Sequence, residues 1–294
     1  VNQPAEPQPP LARSVDFGAG ARGDQSARSP LAFPLVTYTM LGVTIGIFLI
    51  QEALKMGMNR ELFLAINKAV LGEEIFTLLA NNGWADNLLL MLGARIDPLI
   101  VMGQYWRLIT PVLLHPTWFH ILINMFTLYS FGRIVEQYYG HGRFFTLYFL
   151  GALGGNIAGF LFANMSASGS GSSIGAMVAA FVIFVHRNRT LFGERANLLI
   201  RNILIMLAIN LSLGMLPMVE NWSLVGGLLT GLAFAWFATP LIHIEWTQGE
   251  LRFVDRRKRV SVWAAGGVIA ALFVLAAGAA VMVERIAMVR AAVP

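Results

Sequence analysis

Residues 104–136 read QYWRLITPVLLHPTWFHILINMFTLYSFGRIVE, and this stretch decides what kind of protein the chain is. Leu108 to Gly132 contains no Asp, Glu, Lys or Arg. A helix needs about 20 mostly apolar residues to cross the hydrocarbon of a bilayer, and this run is long enough. It nevertheless holds His115, His120 and Asn124, and Glu136 follows at its end. Ionisable groups at membrane depth are costly, so His115, His120 and Glu136 are functional candidates by default. His120 and Asn124 are four apart and share a helix face. They could form a polar constellation for an oxyanion or a peptide carbonyl. They could equally form an interhelical hydrogen-bond network that only holds helices together.

The composition agrees with a membrane-embedded chain. Of 294 residues, 56% are hydrophobic and 13% are charged. A soluble domain carries roughly 25% charged residues, so a water-facing fold is excluded. The absence of cysteine rules out disulfides, Cys-ligated zinc and a cysteine nucleophile. No metal or cofactor is expected.

Outward from the quoted stretch, other charge-free runs complete an all-α polytopic pattern. They are Ser29 to Gln51, Phe144 to His186 (broken by the Ser/Gly run Ser166 to Ser173), Asn202 to Val219, Asn221 to Ile244 and Val260 to Val283. Seven spans are expected, at about 33–55, 118–139, 143–163, 171–187, 199–217, 221–240 and 260–284. Residues 1–30 read as a flexible tail and not as a signal peptide, and 31–240 as the transmembrane core. Within that core, 57–117 form a long first loop. Leu62, Phe63, Ile66 and Val70 share a face there, which predicts a helix lying in the interface. Trp84, Tyr105 and Trp106 are expected as aromatic anchors at headgroup level. Residues 241–259 read as a basic loop and 260–294 as an additional C-terminal helix.

Basic residues set the orientation. With the N-terminal side cytoplasmic, fourteen of the 21 Lys and Arg fall on the cytoplasmic side, including the run Arg256 to Arg259. The net charge of +5 then reflects orientation and contact with anionic lipids, not a nucleic-acid surface. A multi-pass protein of a bacterial inner membrane is expected. Gly151, Gly155 and Gly159, and Gly226, Gly227 and Gly231, offer faces where helices can approach closely. No paired-charge pathway or inverted repeat points to a transporter.

From about Trp84 to Arg259 the chain resembles the rhomboid intramembrane proteases, in motif order and spacing. Trp106-Arg107 resembles their first-loop Trp-Arg motif. His115, His120 and Asn124 resemble His-x4-His-x3-Asn, Gly132 with Glu136 resembles Gly-x3-Glu, and Gly227 with Gly231 resembles the Gly-x3-Gly of helix six. The resemblance implies a six-helix core, with the last span added. It also implies a dyad: a serine in Gly-x-Ser at the start of helix four, and a histidine three residues before the first glycine of Gly-x3-Gly. The histidine position is Leu224, and no His, Lys, Asp or Glu stands between Asn221 and Pro240. The serine position falls on Gly171 in one register and on Ser173 in another. Otherwise the Ser/Gly run is a polar helix start with a serine N-cap. His120 and Asn124 are then expected to bond neighbouring helices or backbone.

The resemblance therefore implies an inactive member, a pseudoprotease that binds other transmembrane proteins as a subunit of a larger complex. The tail and the peripheral helices are expected to carry that contact. The alternative is an active serine endopeptidase that cleaves transmembrane substrates, with Ser173 and His120 as its pair.

Overall fold

The computed structural model describes residues 33–57, 59–81, 88–163, 168–213, 221–247 and 250–292. The expected tail, Trp84 and residues 164–167 lie outside these residues. Helix α1 (Leu35–Gly57) crosses the bundle from one end, and the first loop follows at the other. That loop holds α2 (Arg60–Leu71), α3 (Glu73–Asn81), α4 (Leu88–Leu92), α5 (Asp97–Val101) and two short 3-10 turns, Tyr105–Leu108 and Thr110–Leu113. The chain returns through α6 (Trp118–Thr127), a π turn (Leu128–Gly132) and α7 (Arg133–Tyr139). Then come α8 (His141–Phe162), α9 (Gly171–Arg187), the short α10 (Arg189–Phe192), α11 (Arg195–Leu213), α12 (Trp222–Ala238) and α13 (Arg259–Ala292). Among the described residues, helical segments lie in chain order at each of the seven expected spans.

Three helices, Leu35–Gly57, His141–Phe162 and Val260–Ile286, are by themselves long and apolar enough to cross a membrane. Two others, Gly171–Arg187 and Trp222–Ala238, are apolar but shorter. At 1.5 Å per residue, the 17 residues of α12 span about 25 Å. The shorter pair and α8 form the centre.

Small residues let these three backbones meet. A Cβ on Gly227 would collide with the Ser172 carbonyl, and one on Gly231 with that of Ala176, so α12 lies directly on α9. A Cβ on Gly226 would sit 2.7 Å from the Gly154 carbonyl oxygen of α8, and one on Gly151 would strike Ala176. Thr230, whose hydroxyl donates to its own helix at Gly226, fills the place opposite Gly154. The glycine faces legible in the sequence are these contacts.

The other crossings are held by polar anchors. The buried carboxylate of Glu136 accepts from Val36 N (2.8 Å), Thr37 N (2.7 Å) and the Thr37 hydroxyl (2.6 Å), and His141 Nδ1 lies 2.6 Å away. Glu136 therefore caps the first turn of α1, whose free N–H groups favour a negative charge. In the first loop Arg107 donates to the Leu90 and Ala94 carbonyls and to Gln104 Oε1, which closes the loop on itself. Asn156 of α8 donates to the Leu108 carbonyl. Arg95, fully buried against Gly159, donates to Ser223 at the start of α12. At the far end of α13, Arg285 donates to the Val101 carbonyl of α5 at 2.8 Å. Ile100, Val101, Ile157, Ala277 and Val281 bury one shared cluster beneath that bond.

Two expectations change in detail. In α2 Phe63 is buried, while Leu62 and Val70 remain exposed, so the apolar face is divided between the loop's own core and its surroundings. Residues 241–259, read as a loop, contain an antiparallel hairpin of β1 (Ile242–Thr247) and β2 (Glu250–Asp255), with Ile244 opposite Phe253. Asp255 accepts from Leu241 N and pairs with Arg143 at 2.7 Å, which joins the hairpin to α8.

Two tests follow. Replacing Glu136 with Ala leaves the first N–H groups of α1 without their acceptor. The expected loss is on the order of 2–4 kcal/mol, read as a lower melting midpoint in detergent. The cysteine-free chain also permits clean labelling of single cysteines. With the orientation expected from the basic residues, Tyr105→Cys reacts with an impermeant maleimide from outside intact cells and Lys258→Cys only after lysis. The reverse pattern would invert the assignment.

Candidate functional site

The residues singled out in the quoted stretch gather at the loop end of the bundle. Thr117 caps α6, its hydroxyl accepting from His120 N at 3.2 Å. This start places His120 and Asn124 one turn apart on the same face. His115 precedes the cap and is fully buried. Gln51 of α1 donates to the His115 carbonyl at 2.6 Å and fixes the approach. The two imidazoles meet edge to face with centroids 5.4 Å apart.

The start of α9 faces them. Gly169 has φ +117°, a conformation that only glycine adopts without strain, and its N–H donates to the Pro111 carbonyl at 2.8 Å. A Cβ on Gly169 would lie 2.7 Å from His120 Cε1 and 3.6 Å from Asn124 Nδ2, so the backbone runs directly along these side chains. Ser170 follows, fully buried at the N-cap position of α9. Its hydroxyl makes no capping bond and has no hydrogen-bond partner among the described residues, although it lies beside the Tyr148 phenol.

The two positions weighed for the nucleophile have other surroundings. Ser173 donates to the Tyr148 carbonyl at 2.7 Å and is committed to the α8–α9 contact. Gly171 opens the helix, with free space where a side chain would go. Sequence reasoning passed over Ser170. Nothing in one sequence separates Ser170 from its neighbours in the Ser/Gly run, because its burial beside Gly169 is a product of the tertiary packing.

Leu224 stands in the first turn of α12. Its Cδ1 would lie 2.9 Å from a Cβ on Gly175, so the leucine packs onto α9 one turn beyond Gly171. No imidazole comes from α12. His141 lies beside Glu136, and His186 and His243 sit at the hairpin end. Among the described residues no three His, Cys, Asp or Glu converge as metal ligands.

Residues 102–241 match the family model of the Rhomboid domain. The chain is 34% identical over 160 residues to Rhomboid protease GluP of Bacillus subtilis (strain 168), covering 53% of this chain and 31% of that protein. It is 34% identical over 168 residues to RHOMBOID-like protein 6, mitochondrial, of Arabidopsis thaliana, covering 56% and 54%. It is 31% identical over 158 residues to Rhomboid-like protease 1 of Toxoplasma gondii, covering 51% and 52%. The matched part thus spans from a third to about half of these relatives.

Within the matched residues the expected polar network would bond neighbouring helices or backbone. His115 Nδ1 and Nε2 and Asn124 Nδ2 have no hydrogen-bond partner among the described residues. No hydrogen bond joins the His120 ring to another described residue; only its backbone N–H is engaged. Glu136 and Arg107, in contrast, are fully engaged in holding the fold. Trp106 is exposed beside Arg107, as an interfacial anchor would be.

A buried polar group without a partner costs on the order of 1–3 kcal/mol. Asn124→Leu removes such a group at similar volume. The melting midpoint is expected to stay level or rise, opposite in sign to Glu136→Ala. A fall as large as that of Glu136→Ala would return Asn124 to a structural role.

Proposed function

We propose that this protein is a catalytically inactive rhomboid-like membrane protein that binds a transmembrane partner and serves as a subunit of a larger membrane assembly. The observation that carries the proposal is Leu224. A serine hydroxyl is a poor nucleophile until a base within hydrogen-bond reach takes its proton. The helix from which the resemblance draws that base presents a leucine packed on Gly175, and the Ser170 hydroxyl has no imidazole partner. What remains is a buried group of donors: the Asn124 amide, the imidazoles, the Ser170 hydroxyl and the first N–H groups of α9. Such a set suits an acceptor without reacting with it. The backbone carbonyl of a locally unwound partner helix is one. The exposed face of α13, including Val268, Leu272 and Leu275, offers a second contact along the bilayer. The N-terminal tail is proposed to add to it. The gathering of arginines at the hairpin end supports a cytoplasmic N-terminal side, and the bacillary relative supports a bacterial cytoplasmic membrane.

A second reading, an active intramembrane serine protease, draws on a specific contact. His120 lies against Gly169, next in the chain to Ser170, and two of the relatives above bear the name of protease. A fluorophosphonate probe separates the two. The inactive reading expects no labelling of the wild type and none of Ser170→Ala. Labelling of the wild type that disappears in both Ser170→Ala and His120→Ala establishes the protease. Leu224→His serves as the positive control for access: labelling gained there and lost in the double variant with Ser170→Ala shows that only the base was missing.

A further inference from the structure

The arginines at the hairpin end are mostly engaged. Arg143 pairs with Asp255, Arg187 stacks over Trp236 at 4.2 Å, and Arg133 lies over Tyr129 and donates to its carbonyl. Arg257 donates to the Thr239 carbonyl. Arg189 and Arg201 differ. Neither has an ion pair, a stacking partner or a side-chain hydrogen bond among the described residues, and both are exposed. They flank a groove of about 380 Å³ along α10 and α11, whose polar end also holds Asn197. From Arg201 the floor continues toward the middle of the bundle through Leu204, Ile205 and Ala208. Seven residues of helix carry it about 10 Å from the charged end into the hydrocarbon.

We propose that this groove binds one anionic glycerophospholipid from the leaflet at the hairpin end. The phosphate lies between Arg189 and Arg201, Asn197 donates to a headgroup or ester oxygen, and an acyl chain runs over Leu204, Ile205 and Ala208. Charge and depth both select this occupant. Two unpaired guanidiniums lining one groove favour an anion there, and guanidinium forks match phosphate oxygens. A soluble anion would leave the apolar floor unused, and a neutral lipid would leave the two charges uncompensated. The one carboxylate between Arg187 and Arg201 is Glu194, which does not line the groove and forms no ion pair among the described residues. This site is independent of whether the rhomboid domain is active.

The test is native mass spectrometry of the full chain in mild detergent. Phosphatidylglycerol, phosphatidylcholine with the same chains, and glycerol 3-phosphate are each titrated in. The wild type is expected to retain one phosphatidylglycerol at least tenfold better than phosphatidylcholine. Arg189→Gln with Arg201→Gln should lower that retention to the phosphatidylcholine level. Ala208→Trp, which keeps both arginines and fills the floor, should lower it as well. All of these positions are exposed, so an unchanged elution profile and melting midpoint certify the fold, and Ala208→Trp suffices if the double variant is lost. Equal retention of the two lipids by the wild type overturns the proposal, as does an unchanged preference in either variant. Displacement of phosphatidylglycerol by equimolar glycerol 3-phosphate also overturns it, because that outcome describes a free phosphate site.

Discussion

The structure depends on the contact of three backbones. Inside a bilayer, lipid tails are as apolar as leucine, so helices gain little by merely hiding side chains from their surroundings. They gain by packing closely, and here α8, α9 and α12 come near enough that carbonyls stand where Cβ atoms would be. The glycines at 151, 154, 226, 227 and 231 are necessary to that approach. In this close-packed trio the two shorter helices, α9 and α12, pack on α8, and longer helices lie outside them. The start of α9 is thereby presented to α6 in a defined register.

That register gives the polar residues their meaning. Arg107 and Glu136 spend every hydrogen bond on the fold, one closing a loop and the other capping a helix. His115, Asn124 and Ser170 spend none among the described residues. Natural proteins rarely keep such groups without a purpose that offsets their cost. The leucine at 224 removes the proton acceptor yet leaves the donors in place. The inactive, partner-binding role proposed above is the reading under which both facts fit together.

Much of this was legible in the sequence because membrane helices declare themselves by length and lack of charge. The glycine faces were legible too, since a spacing of four survives any packing geometry. Where charges lie within a helix the boundaries moved. Arg195 and Arg201 belong to α11, which starts seven residues before the charge-free run Asn202 to Val219. The hairpin was hidden because the alternation of Ile242, Ile244 and Trp246 is short and lies beside a run of basic residues that dominates the reading. Glu136 was visible as a motif, but its partners lie 99 and 100 residues earlier, a distance that one sequence does not bridge. Whether a buried hydroxyl or amide has a partner is a property of tertiary geometry alone, so the unpaired donors had to come from the structure.

The bond from Arg285 to Val101 joins residues 184 positions apart. A ribosome makes α5 well before Arg285. The first loop, with its 3-10 turns and the mouth of the polar site, therefore waits through the insertion of five further crossings before α13 arrives to clasp it. Until then the loop rests on Arg107, Asn156 and Arg95. Helix α13 acts as the clasp of that loop, and a chain without it would leave a bundle whose first loop is not fastened.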